Sequence, residues 1–186
     1  MRVASGEARG IRLKGAAVAG IRPTTERVRA AIFNILETSQ VIDHRAVDLF
    51  AGSGSLGIEA LSRGAAWADF VERNRRQCLV LQDNLERTGY ADAGSVHRAD
   101  VLGWLGRAGT EAVGSERYGL ALLDPPYRMD DPTPTLAALW DSGLLVPNAT
   151  VVLGHSSRQE VPLRVGGLRR YDARRYGDNA VAFYHA

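Results

Sequence analysis

The chain has 186 residues, of which 45% are hydrophobic and 24% are charged, values that fit one packed globular domain and exclude a disordered or fibrous chain. No apolar run is long enough to span a membrane, and the first residues lack the apolar stretch of a secretory signal, so we expect a soluble cytoplasmic protein. The single cysteine excludes an intrachain disulfide, and the four scattered histidines give no metal-ligand spacing.

The net charge of +2 conceals an uneven distribution of basic residues. Residues 1–29 carry a net +5 and residues 158–186 a net +3, whereas residues 30–157 carry −6. All the basic residues except Lys14 are arginine. A coding bias toward arginine would explain the lack of lysine but not the concentration at both ends. Because guanidinium groups bind phosphates and stack on bases, the pattern favours a polyanionic partner.

The first predicted elements are an arm and a helix. Residues 2–14 are predicted to form two short strands with a turn near residues 5–10, or a mobile tail. Apolar residues at steps of three and four then predict a one-faced helix over residues 24–37. We therefore divide the chain into a basic N-terminal arm, residues 1–22, and a main domain, residues 23–186.

Strands and helices alternate through the rest of the chain. The predicted strands are 46–50, 68–72, 96–99, 120–123 and 150–153, and the predicted helices between them are 55–63, 75–88, 101–108 and 135–140. Apolar strands alternating with helices indicate a parallel sheet covered on both faces. Two further strands, 168–176 and 180–185, flank a tight turn and predict a C-terminal antiparallel hairpin. The expected fold is α/β and Rossmann-like, with a mostly parallel seven-stranded sheet.

The first motif with chemical meaning lies between the first strand of this sheet and its helix. Gly52, Gly54 and Gly57 satisfy the G-x-G-x-x-G pattern in the strand–turn–helix setting that the pattern requires. Glu72 ends the next strand, where its carboxylate can accept hydrogen bonds from ribose hydroxyls. The motif predicts a nucleotide-like ligand, either a dinucleotide or S-adenosylmethionine. The alternative is a glycine-rich turn that only packs.

The second motif is Asp124-Pro125-Pro126-Tyr127, at the carboxyl end of the fourth strand. In open parallel sheets, ligands bind outside these strand ends, so Asp124 should face the crevice of the glycine motif. The two prolines form a stiff turn that presents carbonyl oxygens, and Tyr127 offers a flat face for stacking. Acceptors beside a stacking platform predict a pocket for a planar ring with an amino group, which favours S-adenosylmethionine over a dinucleotide.

With these motifs the chain resembles the amino-methyltransferases that carry a D/N-P-P-Y/F motif, and more narrowly the bacterial 16S rRNA guanine-N2 methyltransferase family. The segments that carry the resemblance span almost the whole chain: 22–29 before a helix ending Phe33-Asn34, 50–54, 59–64, 124–127 and 175–178. The Arg-Pro-Thr-Thr run at 22–25 is the family-specific part. The chain departs from the pattern at Glu7-Ala8, where a lysine and an aromatic are common, and at 153–155, where a glutamate is common.

The resemblance implies a class I methyltransferase fold, S-adenosylmethionine as cofactor, and methylation of the exocyclic N2 of a guanine in 16S rRNA. We expect the partner to be a partly or fully assembled small ribosomal subunit, with no membrane or metal, and the protein to be a monomer. The Asp124 carboxylate and the Pro125 carbonyl would accept the two amine hydrogens and aim the nitrogen lone pair at the methyl group. Positioning should contribute more than proton transfer.

The candidate site residues fall into three sets. The catalytic candidates are Asp124, Pro125, Pro126 and Tyr127. The cofactor-binding candidates are Asp48, Phe50, Ala51, Gly52, Ser53, Gly54, Gly57, Glu72, Asp100 and Val101. The RNA-binding candidates are Arg9, Arg12, Lys14, Arg22, Thr24, Thr25, Arg27 and Arg29.

Several alternatives stay open. Asp48 could cap a strand end, Asp100 could cap a helix, and Arg27 and Arg29 could form only the solvated face of a helix. An NAD-dependent oxidoreductase would use the same glycines and Glu72 but would have no use for the aspartyl-diprolyl motif. A DNA amino-methyltransferase shares that motif, and a non-catalytic RNA-binding protein would require a vestigial glycine loop.

Overall fold

The structure is a computed structural model that describes residues 1–15, 26–39, 44–111, 117–126, 129 and 131–186. The described helices are α1 (Glu26–Ser39), α2 (Ser55–Ser62), α3 (Arg75–Thr88), α4 (Val101–Glu111) and α5 (Thr133–Asp141). The described strands are β1 (Arg45–Leu49), β2 (Trp67–Val71), β3 (Gly94–His97), β4 (Tyr118–Leu123), β5 (Leu145–Ser156), β6 (Arg164–Val165), β7 (Leu168–Tyr176) and β8 (Asn179–His185). Within these ranges, no helix is long and apolar enough to cross a bilayer.

All the described strands form one mixed sheet in the order β3-β2-β1-β4-β5-β8-β7-β6. The first five in this order run parallel, whereas β8 is antiparallel to β5 and β7 is antiparallel to β8. The predicted parallel sheet with a C-terminal antiparallel hairpin is confirmed. The sheet has eight strands where seven were predicted, because β6 has only two residues and is too short to show a periodicity.

Helices cover both faces of the sheet, as the continuously apolar strands require. On one face α1, α2 and α3 pack against the sheet through side chains that include Phe33, Ile58 and Leu81. On the other face α4 and α5 contribute Leu105 and Leu139 to a second buried cluster. The loops that follow the carboxyl ends of β1 and β4 carry the two sequence motifs.

Residues 1–15 pack against α2 and α3. A single antiparallel bridge joins Arg2 to Arg12, and the side chains of Val3, Ala8 and Leu13 are buried in the same cluster as α1 and α2. The arm is therefore fixed to the sheet domain along its described length. The proposed boundary at residue 22 lies outside the described residues.

Candidate active site

The two motifs leave neighbouring strands at the same edge of the sheet. Strands β1 and β4 pair in parallel, with Leu49 opposite Leu123, so the glycine loop and the aspartyl-diprolyl corner begin side by side. The carboxylate of Asp124 is close enough to Asp48 to raise the pKa of that buried acid. Leu56, in the first turn of α2, lines the same pocket as residues 124–126. This register favours a shared crevice for the two motifs, which stays a prediction.

The glycine loop turns sharply through left-handed backbone conformations. Phe50, Gly52 and Gly54 have φ values of 69°, 55° and 78°, and such values are strained for a bulky residue such as Phe50. A Cβ added to Gly52 would find only the Phe50 carbonyl oxygen, 3.9 Å away, so this backbone is open to a ligand. Gly57 has a different role, because an added Cβ would lie 2.3 Å from the Phe70 ring. It allows α2 to pack closely on β2.

Glu72 fixes the loop to the end of β2. Its Oε2 accepts a hydrogen bond from the backbone N–H of Gly52 at 2.9 Å, and its Oε1 accepts one from the N–H of Asn74 at 2.7 Å. The side chain is half-buried, and each carboxylate oxygen has a further lone pair. These lone pairs suit the predicted contact with ribose hydroxyls. Glu72 also holds the glycine loop against the end of β2, a role that the sequence did not indicate.

Asp48 lies at the end of β1, fully buried below the loop. Its Oδ2 accepts a hydrogen bond from the backbone N–H of Gly57 at 2.8 Å, in the first turn of α2. Burial, with smaller contributions from the carboxylates of Asp124 and Glu72, raises the pKa of Asp48 to about 8 against the opposing effect of the Gly57 N–H. From the end of β1, Asp48 therefore caps the first turn of α2. With its pKa raised, we expect the side chain to hold a proton that a cation could displace.

Asp100 and Val101 lie at the start of α4. The Oδ1 of Asp100 accepts hydrogen bonds from the N–H groups of Leu102 and Gly103, at 3.1 and 3.3 Å, which is the geometry of an N-terminal cap. Asp100 is exposed, whereas Val101 is buried against the sheet. The structure thus displays the capping role of Asp100, and contact with an adenine stays a prediction.

A pocket opens at the aspartyl-diprolyl corner, next to the first turn of α2. Its walls come from α1, from the loop after β4, from the end of β5 and from the start of β8. Its lining includes Val28, Ile32, Leu56, Asp124, Pro125, Pro126, Met129, Gly154, His155, Ser156, Gln159 and Asn179. Asp124 is half-buried here, and a Cβ added to Gly154 would lie 2.7 Å from its Oδ1. The glycine leaves room for the carboxylate against the backbone of β5.

His155 is a pocket residue to which the sequence assigned no role. Its Nδ1 lies 2.9 Å from the Ser156 carbonyl oxygen, and its buried Nε2 has no hydrogen-bond partner among the residues that the structure describes. Burial lowers the pKa of the imidazole, so the neutral ring donates from Nδ1–H and offers an Nε2 lone pair. The sequence signal that could have drawn attention to His155 was the departure of residues 153–155 from the family pattern.

The candidate RNA contacts differ in their exposure. Arg9, Arg12 and Arg27 are exposed, and the exposed Lys14 makes an ion pair with Asp83 at 2.9 Å. The prediction for Arg29 is wrong, as is its alternative as a solvated helix face. Its side chain is completely buried and its Nε donates to the Glu59 carboxylate at 3.1 Å, so it has no surface for a phosphate.

Glu59 organises the contact between the arm and the domain. This buried carboxylate accepts hydrogen bonds from the backbone N–H groups of Ala4 and Ser5 at 2.8 and 3.0 Å, and it pairs with both Arg29 and Arg63. Arg29 also donates to the carbonyl oxygen of Arg2. The cluster satisfies charges that would otherwise be costly to bury.

Four candidates lie outside the described residues. They are the catalytic candidate Tyr127 and the RNA-binding candidates Arg22, Thr24 and Thr25.

The chain is similar to proteins of one known family. The model of a family described as conserved hypothetical protein 95 matches residues 1–185. The chain is 35% identical over 185 residues to YlbH of Bacillus subtilis, provisionally named an rRNA methyltransferase, with 99% of this chain and 98% of the relative covered. It is 33% identical over 162 residues to ribosomal RNA small subunit methyltransferase D of Escherichia coli K12, covering 87% and 78%.

A solved structure agrees with these relatives. YhhF of Escherichia coli, provisionally described as a methyltransferase, superposes with a TM-score of 0.82 at 28% identity, with 100% of this chain and 97% of that chain covered. The resemblance drawn from the motifs and the predicted methyltransferase fold are both confirmed. From its motifs, its sheet order and these matches along almost its whole length, the chain belongs to the family described as conserved hypothetical protein 95.

Proposed function

We propose that this protein is an S-adenosylmethionine-dependent methyltransferase of 16S rRNA, and that it modifies the exocyclic N2 of a guanine. The observation that carries the proposal is the placement of the glycine loop and Asp124 on paired strands, with Leu56 and residues 124–126 around one pocket. The Escherichia coli relative, named for the RNA of the small subunit, supports the choice of substrate. The antiparallel β8 beside β5 argues against a dinucleotide-binding sheet.

The residues of the loop fit S-adenosylmethionine, which supplies a methyl group on a sulfonium. The open backbone at Gly52 and the spare lone pairs of Glu72 suit the methionine portion and the ribose, respectively. Asp48 presents an acid beside the loop for the amino group. We assign the cofactor to the set named from the sequence: Asp48, Phe50, Ala51, Gly52, Ser53, Gly54, Gly57, Glu72, Asp100 and Val101.

Asp124 and Pro125 orient the target amine. A guanine exocyclic amine is a poor nucleophile because its lone pair is delocalised into the ring. When the Asp124 carboxylate and the Pro125 carbonyl accept its two hydrogens, the lone pair is directed out of the ring plane. Such alignment supplies roughly 7–11 kcal/mol, whereas proton transfer supplies on the order of 3–5 kcal/mol. Asp124 therefore acts mainly as an orienting acceptor. The roles proposed from the sequence are a stiff turn for Pro126 and a stacking surface for Tyr127.

One feature of the pocket supports guanine over adenine as the proposed target. Guanine presents N1–H and the N2 amine as adjacent donors, whereas adenine presents an acceptor at N1. In the pocket wall that also contains Asp124, His155 Nε2 is a buried lone pair that no described residue satisfies. A second N–H donor would satisfy it, and an acceptor would not.

The RNA contacts are proposed for the exposed arginines of the arm and α1. These are Arg9, Arg12 and Arg27, together with Lys14 and with Arg22, Thr24 and Thr25. A guanine must leave its stack to enter the pocket, at a cost of a few kcal/mol, which favours loops in a partly or fully assembled subunit over regular duplex. We place the activity in the cytoplasm, with the protein acting as a monomer.

The test is radiolabelled methyl transfer to bare 16S rRNA, to assembled small subunits and to DNA, followed by identification of the methylated nucleoside. We expect N2-methylguanosine in RNA, and N6-methyladenosine or methylated DNA would contradict the proposal. Asp124→Ala and Asp124→Asn should lower turnover by about 10²–10⁴-fold while calorimetry finds cofactor affinity within twofold. Glu72→Ala is the matched control, because it should weaken cofactor binding directly. Equal loss of turnover and cofactor affinity in the Asp124 variants would refute this division of roles.

A further inference from the structure

The antiparallel end of the sheet has a row of exposed cationic and aromatic side chains. Arg164 on β6 pairs with Arg169 on β7, which pairs with His185 on β8. Directly opposite residues in antiparallel strands point to the same face, so these three side chains form one row across three strands. All three are exposed. We call Arg164, Arg169, Tyr171 and His185 the β6–β8 row.

The charge arrangement in this row is unfavourable for the protein alone. Two arginines directly opposite each other repel, and like charges at such positions destabilise a sheet. The nearest acid along β7, Asp172, already accepts a bond from Arg174 Nε at 3.0 Å. The buried Arg29, by contrast, has a carboxylate beside it. A polyanion on this surface would neutralise the paired arginines.

The row also has an aromatic platform. The ring of Tyr171 stacks on His185, with centroids 4.0 Å apart and planes 9° apart, and it lies tilted against the buried Phe183. Tyr171 is nevertheless 43% exposed. An immobilised, half-covered ring beside cations is the arrangement on which unpaired bases stack, whereas the bases of a regular duplex are not available to it.

The row stands at a defined distance from the candidate active site. Asn179, at the start of β8, lines the pocket of Asp124, and His185 ends the same strand. The six intervening steps of extended chain span roughly 20 Å. From these observations we infer that the β6–β8 row is a second RNA-binding surface, which holds an unpaired segment of the substrate about 20 Å from the nucleotide in the pocket. The choice of RNA as the polyanion rests on the proposed function.

The test measures binding of a 16S rRNA transcript to the full chain between 50 and 200 mM salt. The double variant Arg164→Ser/Arg169→Ser should lower affinity about tenfold near 100 mM salt and reduce the slope of log K against log salt by up to about 2, because each phosphate contact contributes roughly 0.7–0.9. The matched control is Arg107→Ser/Arg117→Ser, which removes two exposed arginines elsewhere. It should change affinity less than twofold.

The aromatic part is tested separately. Tyr171→Ala should weaken binding at least fivefold without changing the salt slope, and Tyr171→Phe should restore it, since stacking needs the ring and not the hydroxyl. Equal losses in the row and control variants, or no loss in either, would overturn the inference. Cofactor binding by calorimetry should be unchanged in all variants. If the variants change RNA binding as expected but the protein transfers no methyl group, the proposed function is wrong and the inferred RNA-binding surface is supported. If methyl transfer is normal but the row variants bind RNA like the control, only the inferred surface is wrong.

Discussion

Arginines have opposite surroundings in two regions of the molecule. At the contact between the arm, α1 and α2, Arg29 is completely buried and Glu59 accepts its hydrogen bond. In the β6–β8 row, Arg164 and Arg169 face each other in solvent. Both regions belong to basic segments of the sequence. A local excess of arginine therefore does not identify a ligand surface. An arginine that the fold places beside a carboxylate forms an internal ion pair, and one without such a partner stays in solvent.

Replacing one arginine in each region should give the largest contrast in stability. Arg29→Met leaves Glu59 without one of its cations and should lower the free energy of unfolding by about 3–5 kcal/mol. Arg169→Met removes an exposed charge and should change it by less than about 0.5 kcal/mol. Urea unfolding with an unchanged denaturant slope would measure both. Similar losses in the two variants would show that the buried and the exposed arginine do not differ in their contribution to stability.

Asn84 tests whether the arm is coupled to the glycine loop. This buried side chain accepts from the Lys14 N–H at 2.8 Å, and its amide donates to the carbonyls of Lys14 and Ser53 at 3.1 and 2.9 Å. Asn84→Ala should cost about 1–3 kcal/mol of stability, because buried backbone groups lose their partners. It should also weaken cofactor binding, measured by calorimetry. Asp83→Ala, next to it on the exposed side of α3, is the control and should leave cofactor affinity unchanged.

Asp48, unlike these arginines, is a buried acid that lies near two other carboxylates and accepts a hydrogen bond from a backbone N–H. With its pKa raised to about 8, the free protein holds a proton on this acid at pH 6–7. If the cofactor amino group needs the carboxylate, binding releases that proton, and affinity rises with pH by up to tenfold per pH unit, which corresponds to at most about 1.4 kcal/mol.

Calorimetry between pH 6 and 7, in buffers of different ionisation enthalpy, measures the proton released. Asp48→Asn keeps an acceptor for Gly57 and should remove the dependence. A variant with the same pH slope as the original protein would show that Asp48 does not meet the amino group.

The local signals of the sequence predicted most of the fold. The bounds of α3 match at both ends, because Asn74 caps the first turn and Gly89 adopts a left-handed φ of 79° after the last. Strand β5 was predicted over residues 150–153 but runs from Leu145 to Ser156. Its polar flanks, with Pro147 and Asn148, have no strand pattern. Pairing with β8 extends the strand at its carboxyl end, and such pairing has no local signal.

The site residues that follow a single recognisable strand could be predicted from the sequence. Those that meet only after several elements have packed together could not. The glycine loop and Asp124 each follow a strand whose pattern is visible in the sequence. His155 and Asn179 enter the pocket because β8 returns beside β5, which requires the topology. Arg29 was misassigned because its partner, Glu59, is 30 residues further along the chain.

The hydrogen bonds that Glu59 accepts from the arm have a consequence for the order of folding. Ala4 and Ser5 are hydrogen-bonded to a carboxylate 55 and 54 residues further on, and the backbone of Lys14 is bonded to Asn84, 70 residues further on. During translation these early residues are made long before their partners, so the arm cannot dock until α2 and α3 have emerged. A segment synthesised early is thus among the last to be fixed, and until then Val3, Ala8 and Leu13 remain accessible to chaperones.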